Sequence, residues 1–177
     1  FKWGAADSFQ PCFHCLEIQI QTDLSGARFG YVFCSTRLRS HPALNPKLVA
    51  KFRSKQAEFA ASGVPSTPIL AFHGTQEEKA VSILKGNFSH NAPRIDLGWF
   101  GAGFYLSTSS SVACSYSDGV VLGCLVLPGR MAKVPMNHGC SCTPGHHSHC
   151  DPQGEELVIF DCDQILPHYL IRFSFRD

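Results

Sequence analysis

Four places in this chain hold residue types that could do chemistry. An apolar run, Pro68-Ile-Leu-Ala-Phe72, leads straight into His73-Gly74-Thr75. A glycine-punctuated run over 98–106 carries Tyr105 near its end, and two adjacent glutamates, Glu155 and Glu156, head a third apolar run. Cys140, Cys142, His146, His147, His149 and Cys150 crowd a loop rich in glycine and proline. Cys and His at such spacing are zinc chemistry, because zinc takes four soft or borderline ligands in a tetrahedron. The other three places offer an imidazole, a phenol and one carboxylate. Taken singly, each has a plainer reading. A histidine at a strand end is usually structural, Gly-x-Gly outside a strand-to-helix turn says little, and paired glutamates commonly cap a solvent-exposed strand.

The elements that must position these residues follow from period and punctuation. Asn45-Pro46 puts a good N-cap before a proline in the first helical turn. Leu48, Val49, Phe52 and Phe59 then share one face, and Gly63 and Pro65 stop the helix. The run over 68–72 reads as a strand. Thr75 with Glu78 matches a capping box, which predicts a helix with Ala80, Val81, Ile83 and Leu84 on its core side and Gly86 at its end. A polar loop over 87–97, a strand over 98–106 and a Ser-rich helical segment up to Tyr116 come next. Strands are expected over 120–127 and 156–160, and Tyr169, Ile171, Phe173 and Phe175 alternate along a closing strand. Residues 137–154 read as loop. Near the start, Ile18 and Ile20 alternate with polar residues, and 29–34 is strand-like in composition. Helices and strands do not alternate regularly, which predicts an α+β fold over a doubly wound sheet.

Composition narrows the classes. The 177 residues are the size of one domain, and charged residues make up 16% with a net charge of +1. Fifteen Lys+Arg against 14 Asp+Glu leave no surplus for a basic stripe, so strong nucleic-acid binding is not expected. No apolar run approaches the ~20 residues that span a bilayer, and no basic-then-apolar leader is seen. The nine cysteines read as mostly reduced thiols of an intracellular protein, nuclear or cytoplasmic.

In combination the motifs are specific. His73-Gly-Thr, Gly98-x-Phe-Gly-x-Gly-x-Tyr105, Pro144-Gly-His-His-Ser148 and Glu156-x-Val-Ile-x-Asp161 stand in an order and at gaps that resemble the catalytic domain of the poly(ADP-ribose) polymerase family. That family's signature is a His-Tyr-Glu triad. The resemblance covers about 40–175. The Phe-Gly-Ala-Gly and Pro-Gly-His-His-Ser runs look like those of tankyrases, whereas the stretch from Tyr105 to Tyr116 is similar to branches that transfer single units.

The resemblance implies an ADP-ribosyltransferase fold: two packed, mostly antiparallel β-sheets with short flanking helices around an NAD+ cleft. Its parts would be N-terminal strands or an extension (1–40), the helix (45–62) and an NAD-binding core (68–177). It implies a catalytic set of Glu156, His73 and Tyr105, with NAD+ contacts from His73, Gly74, Thr75, Gly103, Tyr105, Ala113 and Tyr116. His73 would bond the adenosine ribose, and the Gly74 backbone would meet the nicotinamide amide. Tyr116 would stack on the nicotinamide ring, with Tyr105 walling its other side. Glu156 would accept from the nicotinamide ribose, leaving Glu155 outward, since strand neighbours face opposite sides. NAD+ and protein acceptors are thus the expected partners. Polymer and single-unit transfer both stay open. The 72 residues before His73 are too few for the family's helical regulatory domain, so activity independent of DNA is expected.

One position departs from the pattern. Three residues before the second tyrosine the family usually has a serine that bonds the nicotinamide carbonyl, and here stands Ala113. Ser111 or Ser115 would substitute in a different helix register. Zinc is a minor expectation, with Cys140, Cys142, His149 and Cys150 as its candidate ligands and Cys12-x-x-Cys15 as a remote half-site. Two rival functions follow: a weak or inactive NAD- or ADP-ribose-binding module, and a zinc-stabilised interaction domain.

Overall fold

The computed structural model describes residues 45–90 and 98–173. The readings at Cys12, Cys15, 17–21, 29–34, 91–97 and Phe175 lie outside the described residues.

Helix α1 (Pro46–Ala61) starts where the Asn-Pro pair predicts. The Asn45 side chain accepts from the Lys47 N–H at 3.0 Å, and its amide also donates to the Lys85 carbonyl at 2.7 Å. Leu48, Phe52 and Phe59 are buried with Val64, Leu127 and Leu166, while Val49 is only partly covered. Then follow β1 (Ile69–Thr75), α2 (Glu77–Gly86), β2 (Phe104–Ser107), α3 (Ser110–Ser115) and β3 (Val120–Val126). The chain continues through β4 (Met131–Lys133), β5 (Ser148–Cys150), β6 (Glu156–Ile159), a short 3-10 turn (Cys162–Gln164) and β7 (Ile165–Arg172).

The α+β class holds, but the sheet arrangement differs from the expectation. Among the described residues the strands form one seven-stranded sheet, ordered β4-β5-β6-β2-β1-β3-β7, instead of two packed sheets. Every pairing is antiparallel except β4 with β5. The reason for the difference is a narrow joint. β1 pairs with β3 from Ile69↔Val126 through Thr75↔Val120, yet its register with β2 holds a single pair, Phe72↔Ser107. Two blocks of strands therefore stay hydrogen-bonded edge to edge where the sequence suggested separate layers.

Each face of the sheet has its own core. On one face Ala71, Leu122, Leu106, Leu157 and Ile159 bury against Ala80 and Leu84 of α2. On the other, Phe72, Val121, Tyr169 and Ile171 bury against Ala113 and Cys114 of α3.

Local departures have physical causes. The capping box at Thr75 does not form, because the β1–β3 ladder runs through Thr75 and buries it. Gln76 is the N-cap instead and makes no side-chain cap bond. Glu77 and Glu78 lie in the first turn, where they face the positive end of the helix dipole. The strand expected over 98–106 shrinks to β2, since Gly98 (φ 78°) and Gly101 (φ 129°) take conformations that break a strand. Strands β4 and β5 escape sequence reading because three residues are too few to show alternation. Val81 and Ile83 are only partly buried, leaving Ala80 and Leu84 as the core side of α2.

The double duty of Asn45 gives a stability prediction. Asn45→Ala removes a cap and a tie between α1 and α2, which costs about 1–2 kcal/mol. The melting temperature should fall by roughly 2–8 °C. An unchanged thermal melt would count against this view of the helix start.

Candidate active site

His73 lies near the end of β1, opposite Leu122 of β3. Its Nδ1 is 2.7 Å from the backbone carbonyl oxygen of Tyr105 in β2. A carbonyl can only accept, so Nδ1 carries the hydrogen and Nε2 keeps a lone pair. The ring also meets the edge of Phe88, with centroids 4.9 Å apart. Burial pushes its pKa below the usual histidine value, overriding the Tyr105 bond, and Lys79 adds to the lowering. The neutral imidazole is therefore the favoured form near neutral pH.

Gly74 is required by close approach. A Cβ there would lie 1.9 Å from the Ala113 carbonyl oxygen, so the backbone of α3 rests directly on β1. The same carbonyl accepts from the Tyr116 N–H at 3.2 Å, which closes the helix. Ala113 is buried against Phe72. Of the two suggested substitutes for the missing serine, Ser115 Oγ donates to the Val112 carbonyl at 2.7 Å, and Ser111 Oγ lies 2.8 Å from Ser109 Oγ.

Tyr105 fastens the turn before β2. Its hydroxyl accepts from the Phe100 N–H at 2.8 Å and donates to the Gly101 carbonyl at 3.0 Å. Gly103 has a packing role of its own, since a Cβ there would come within 2.5 Å of Val158 Cγ1. Thr75 is buried at the strand end.

Glu156 opens β6 opposite Ser107, in the same row as the Phe72↔Ser107 joint. Glu155 is exposed and Glu156 half-buried, as the alternation of strand side chains requires. Burial is the first cause of a raised pKa at Glu156, followed by repulsion from Asp151 and, more weakly, Glu155. A hydrogen bond from the Tyr116 side chain opposes the rise. The Tyr116 ring is otherwise largely open, at 68% exposure.

The pleat decides which residues meet. Antiparallel partners and alternate positions share a face, so Glu156, Ser107, Tyr105, Phe72 and Gly74 project to the side that α3 covers. His73 projects to the opposite side with Leu122, and it joins the group through the Tyr105 carbonyl at the joint. The structure thus brings Glu156 and Tyr116 together directly and connects His73 to Tyr105 through the backbone.

Two contributors escaped the sequence reading. Ser107 donates to the Glu155 carbonyl at 2.6 Å, tying β2 to the start of β6. Asp151 accepts the Glu156 N–H at 2.8 Å. The Asp-Pro-x-Gly turn signature at 151–154 was the available signal for the second. Nothing in one serine's type could have announced the first.

The zinc candidates do not converge. His149 is 1% exposed, and both ring nitrogens are engaged: Nε2 accepts from the Thr143 N–H at 2.9 Å, so Nδ1 donates to the Phe100 carbonyl at 2.8 Å. Cys142 Sγ donates to the His146 carbonyl at 3.3 Å, and burial raises the thiol pKa of Cys142 and Cys150. His147 accepts from the Arg130 N–H at 3.2 Å and meets Phe59 edge-on, while His146 lies 3.2 Å from the Pro144 carbonyl oxygen. Among the described residues, Asp161, Cys162 and Asp163 are the one cluster of three ligand-type groups, and Lys55 and Lys51 pair with its acids.

A search of curated proteins returned no match. The family model of the poly(ADP-ribose) polymerase catalytic domain matches residues 43–131, half of the chain. That stretch runs from α1 to the first residue of β4 and includes His73, Gly74, Tyr105, Ala113 and Tyr116. With such a match over its helix, its central strands and most of its candidate site, the chain belongs to the poly(ADP-ribose) polymerase catalytic domain family.

Proposed function

We propose that the chain transfers ADP-ribose from NAD+ to acceptor side chains of proteins and releases nicotinamide. The carrying observation is Glu156, half-buried at the start of β6, on the sheet face that also bears Gly74 and Tyr105. The reaction breaks the bond between the ribose anomeric carbon and the nicotinamide nitrogen, and the electron pair leaves with the ring. Nicotinamide is a pyridinium in NAD+, so it departs neutral and needs no general acid. A glycosidase normally needs two carboxyl groups; here one can suffice. Its negative charge favours the developing oxocarbenium and orients the acceptor, whose proton passes to the Glu156 carboxylate on attack and from there to solvent.

The surrounding groups suit that substrate. The exposed face of Tyr116 offers a platform for a flat cationic ring. The neutral His73, with Nδ1 donating to the Tyr105 carbonyl, keeps a lone pair on Nε2 to accept from a ribose hydroxyl. Ala113 favours a second reading, a weak NAD-binding module, because it lacks the hydroxyl that its family relatives use.

Incubation with labelled NAD+ tests the reading. The wild-type protein should label itself or an added acceptor, and Glu156→Gln should cut incorporation by about 10²–10³-fold with an unchanged melt. NAD+ binding without any transfer would instead establish the binding module. Discrete products on a gel would mean single units, and a smear would mean chains.

The pH dependence has a definite sign. The needed form of Glu156 is the carboxylate, and its pKa is raised above 4.5. Activity should therefore fall as pH drops through that raised value, and the acid limb of kcat should lie above the ordinary glutamate range. Restoring the hydroxyl with Ala113→Ser should tighten NAD+ binding by roughly fivefold, the equivalent of about 1 kcal/mol. Calorimetric titration would show this, and an unchanged Kd would mean that position 113 does not reach the nicotinamide.

A further inference from the structure

Two adjacent glutamates create a register problem. A slip of one residue in β6 would send Glu155 to the site face and Glu156 outward, and would expel Leu157 and Ile159 from the core. Something local must fix where this strand begins.

We propose that Asp151 is the positioning residue for Glu156: its buried carboxylate locks the turn that starts β6 and so selects which glutamate faces the site. This inference rests on the proposed transfer reaction for its catalytic meaning, but its geometry stands apart from that reaction. Asp151 is only 5% exposed although it begins a turn. Both of its oxygens are engaged by backbone donors. Oδ1 accepts from the Glu156 N–H at 2.8 Å, and Oδ2 accepts from the Gln153 N–H at 3.1 Å. Its own N–H donates to the Glu156 carbonyl at 3.2 Å, and the Gly154 N–H donates to the Asp151 carbonyl at 3.1 Å. Asp151 and Glu156 thus hold each other in both directions, and the next pair in the ladder is Cys150↔Leu157.

The clamp also has an electrical side. Asp151 and Glu155 repel charge on Glu156, and Tyr116, from the end of α3, donates to it. Asp151 therefore holds the carboxylate in place while keeping it a stronger base than a solvent-exposed glutamate.

Two variants separate these roles. Asp151→Asn keeps an oxygen for the Glu156 N–H, gives up the bond from the Gln153 N–H and removes the charge. Asp151→Ala removes the charge and both acceptors. The acid limb of kcat should move to lower pH in Asp151→Asn, because a lost negative neighbour lets Glu156 ionise earlier. Asp151→Ala should lower kcat by on the order of tenfold or more and speed hydrogen exchange at the Glu156 amide. A merely structural residue would lower the melting temperature and leave the acid limb in place, and that result would overturn the proposal. So would an Asp151→Ala protein with unchanged exchange at Glu156. Carboxyl carbon NMR of Glu156 reads the same pKa without turnover. If the wild-type protein transfers no ADP-ribose, the transferase reading fails, and the NMR titration and amide exchange still decide the role of Asp151.

Discussion

The joint between β1 and β2 governs the rest of the architecture. β1 spends its whole length on β3, with which it shares a full ladder, and meets β2 at Phe72↔Ser107 alone. Backbone pairing that is sparse must be supplemented, and the His73 imidazole does this by donating to the Tyr105 carbonyl. The same row continues through Ser107 to Glu156. One narrow contact thus fixes the spacing of the histidine, the tyrosine and the glutamate, which come from strands far apart in the chain. A fully paired joint would occupy the polar edge of β1 with β2 and leave less backbone there for any ligand.

Helix α3 has an effect out of proportion to its length. Its Ala113 carbonyl lies so close to β1 that only glycine fits at position 74. This contact sets where α3 ends, and therefore where Tyr116 stands. From there Tyr116 reaches Glu156, and its hydrogen bond opposes the burial and the two neighbouring acids that disfavour the charged form. The glutamate is held between opposed influences, which keeps it ionisable yet basic. Charge in a half-buried site needs such support, since an unsupported carboxylate would simply take up a proton.

The Cys/His loop shows how composition can mislead. Its residue types are those of a zinc site, yet the fold uses them as ordinary hydrogen-bonding and packing groups. His149 is the clearest case: with one nitrogen donating and the other accepting, no lone pair remains for a metal. Position in the ladder decided this, because β5 carries His149 into the interior beside Phe160.

Much of the fold could be read from one dimension. The Asn-Pro start of α1 and the long strands β1, β3 and β7 follow from period, capping and alternation, which are local and act over a few residues, whereas alternation says only that Glu155 and Glu156 face opposite sides. The candidate residues His73, Tyr105 and Glu156 were legible too, through motif types and gaps. Local rules failed at Thr75, where strand pairing outweighed a capping box, and at β4 and β5, whose three residues carry no period. The single continuous sheet, the opposite projection of His73 and Glu156, the Tyr116 bond and the Asp151 clamp depend on which strands meet and in what register. Those are choices between distant segments, made by the burial of two core faces at once, and only the folded chain makes them.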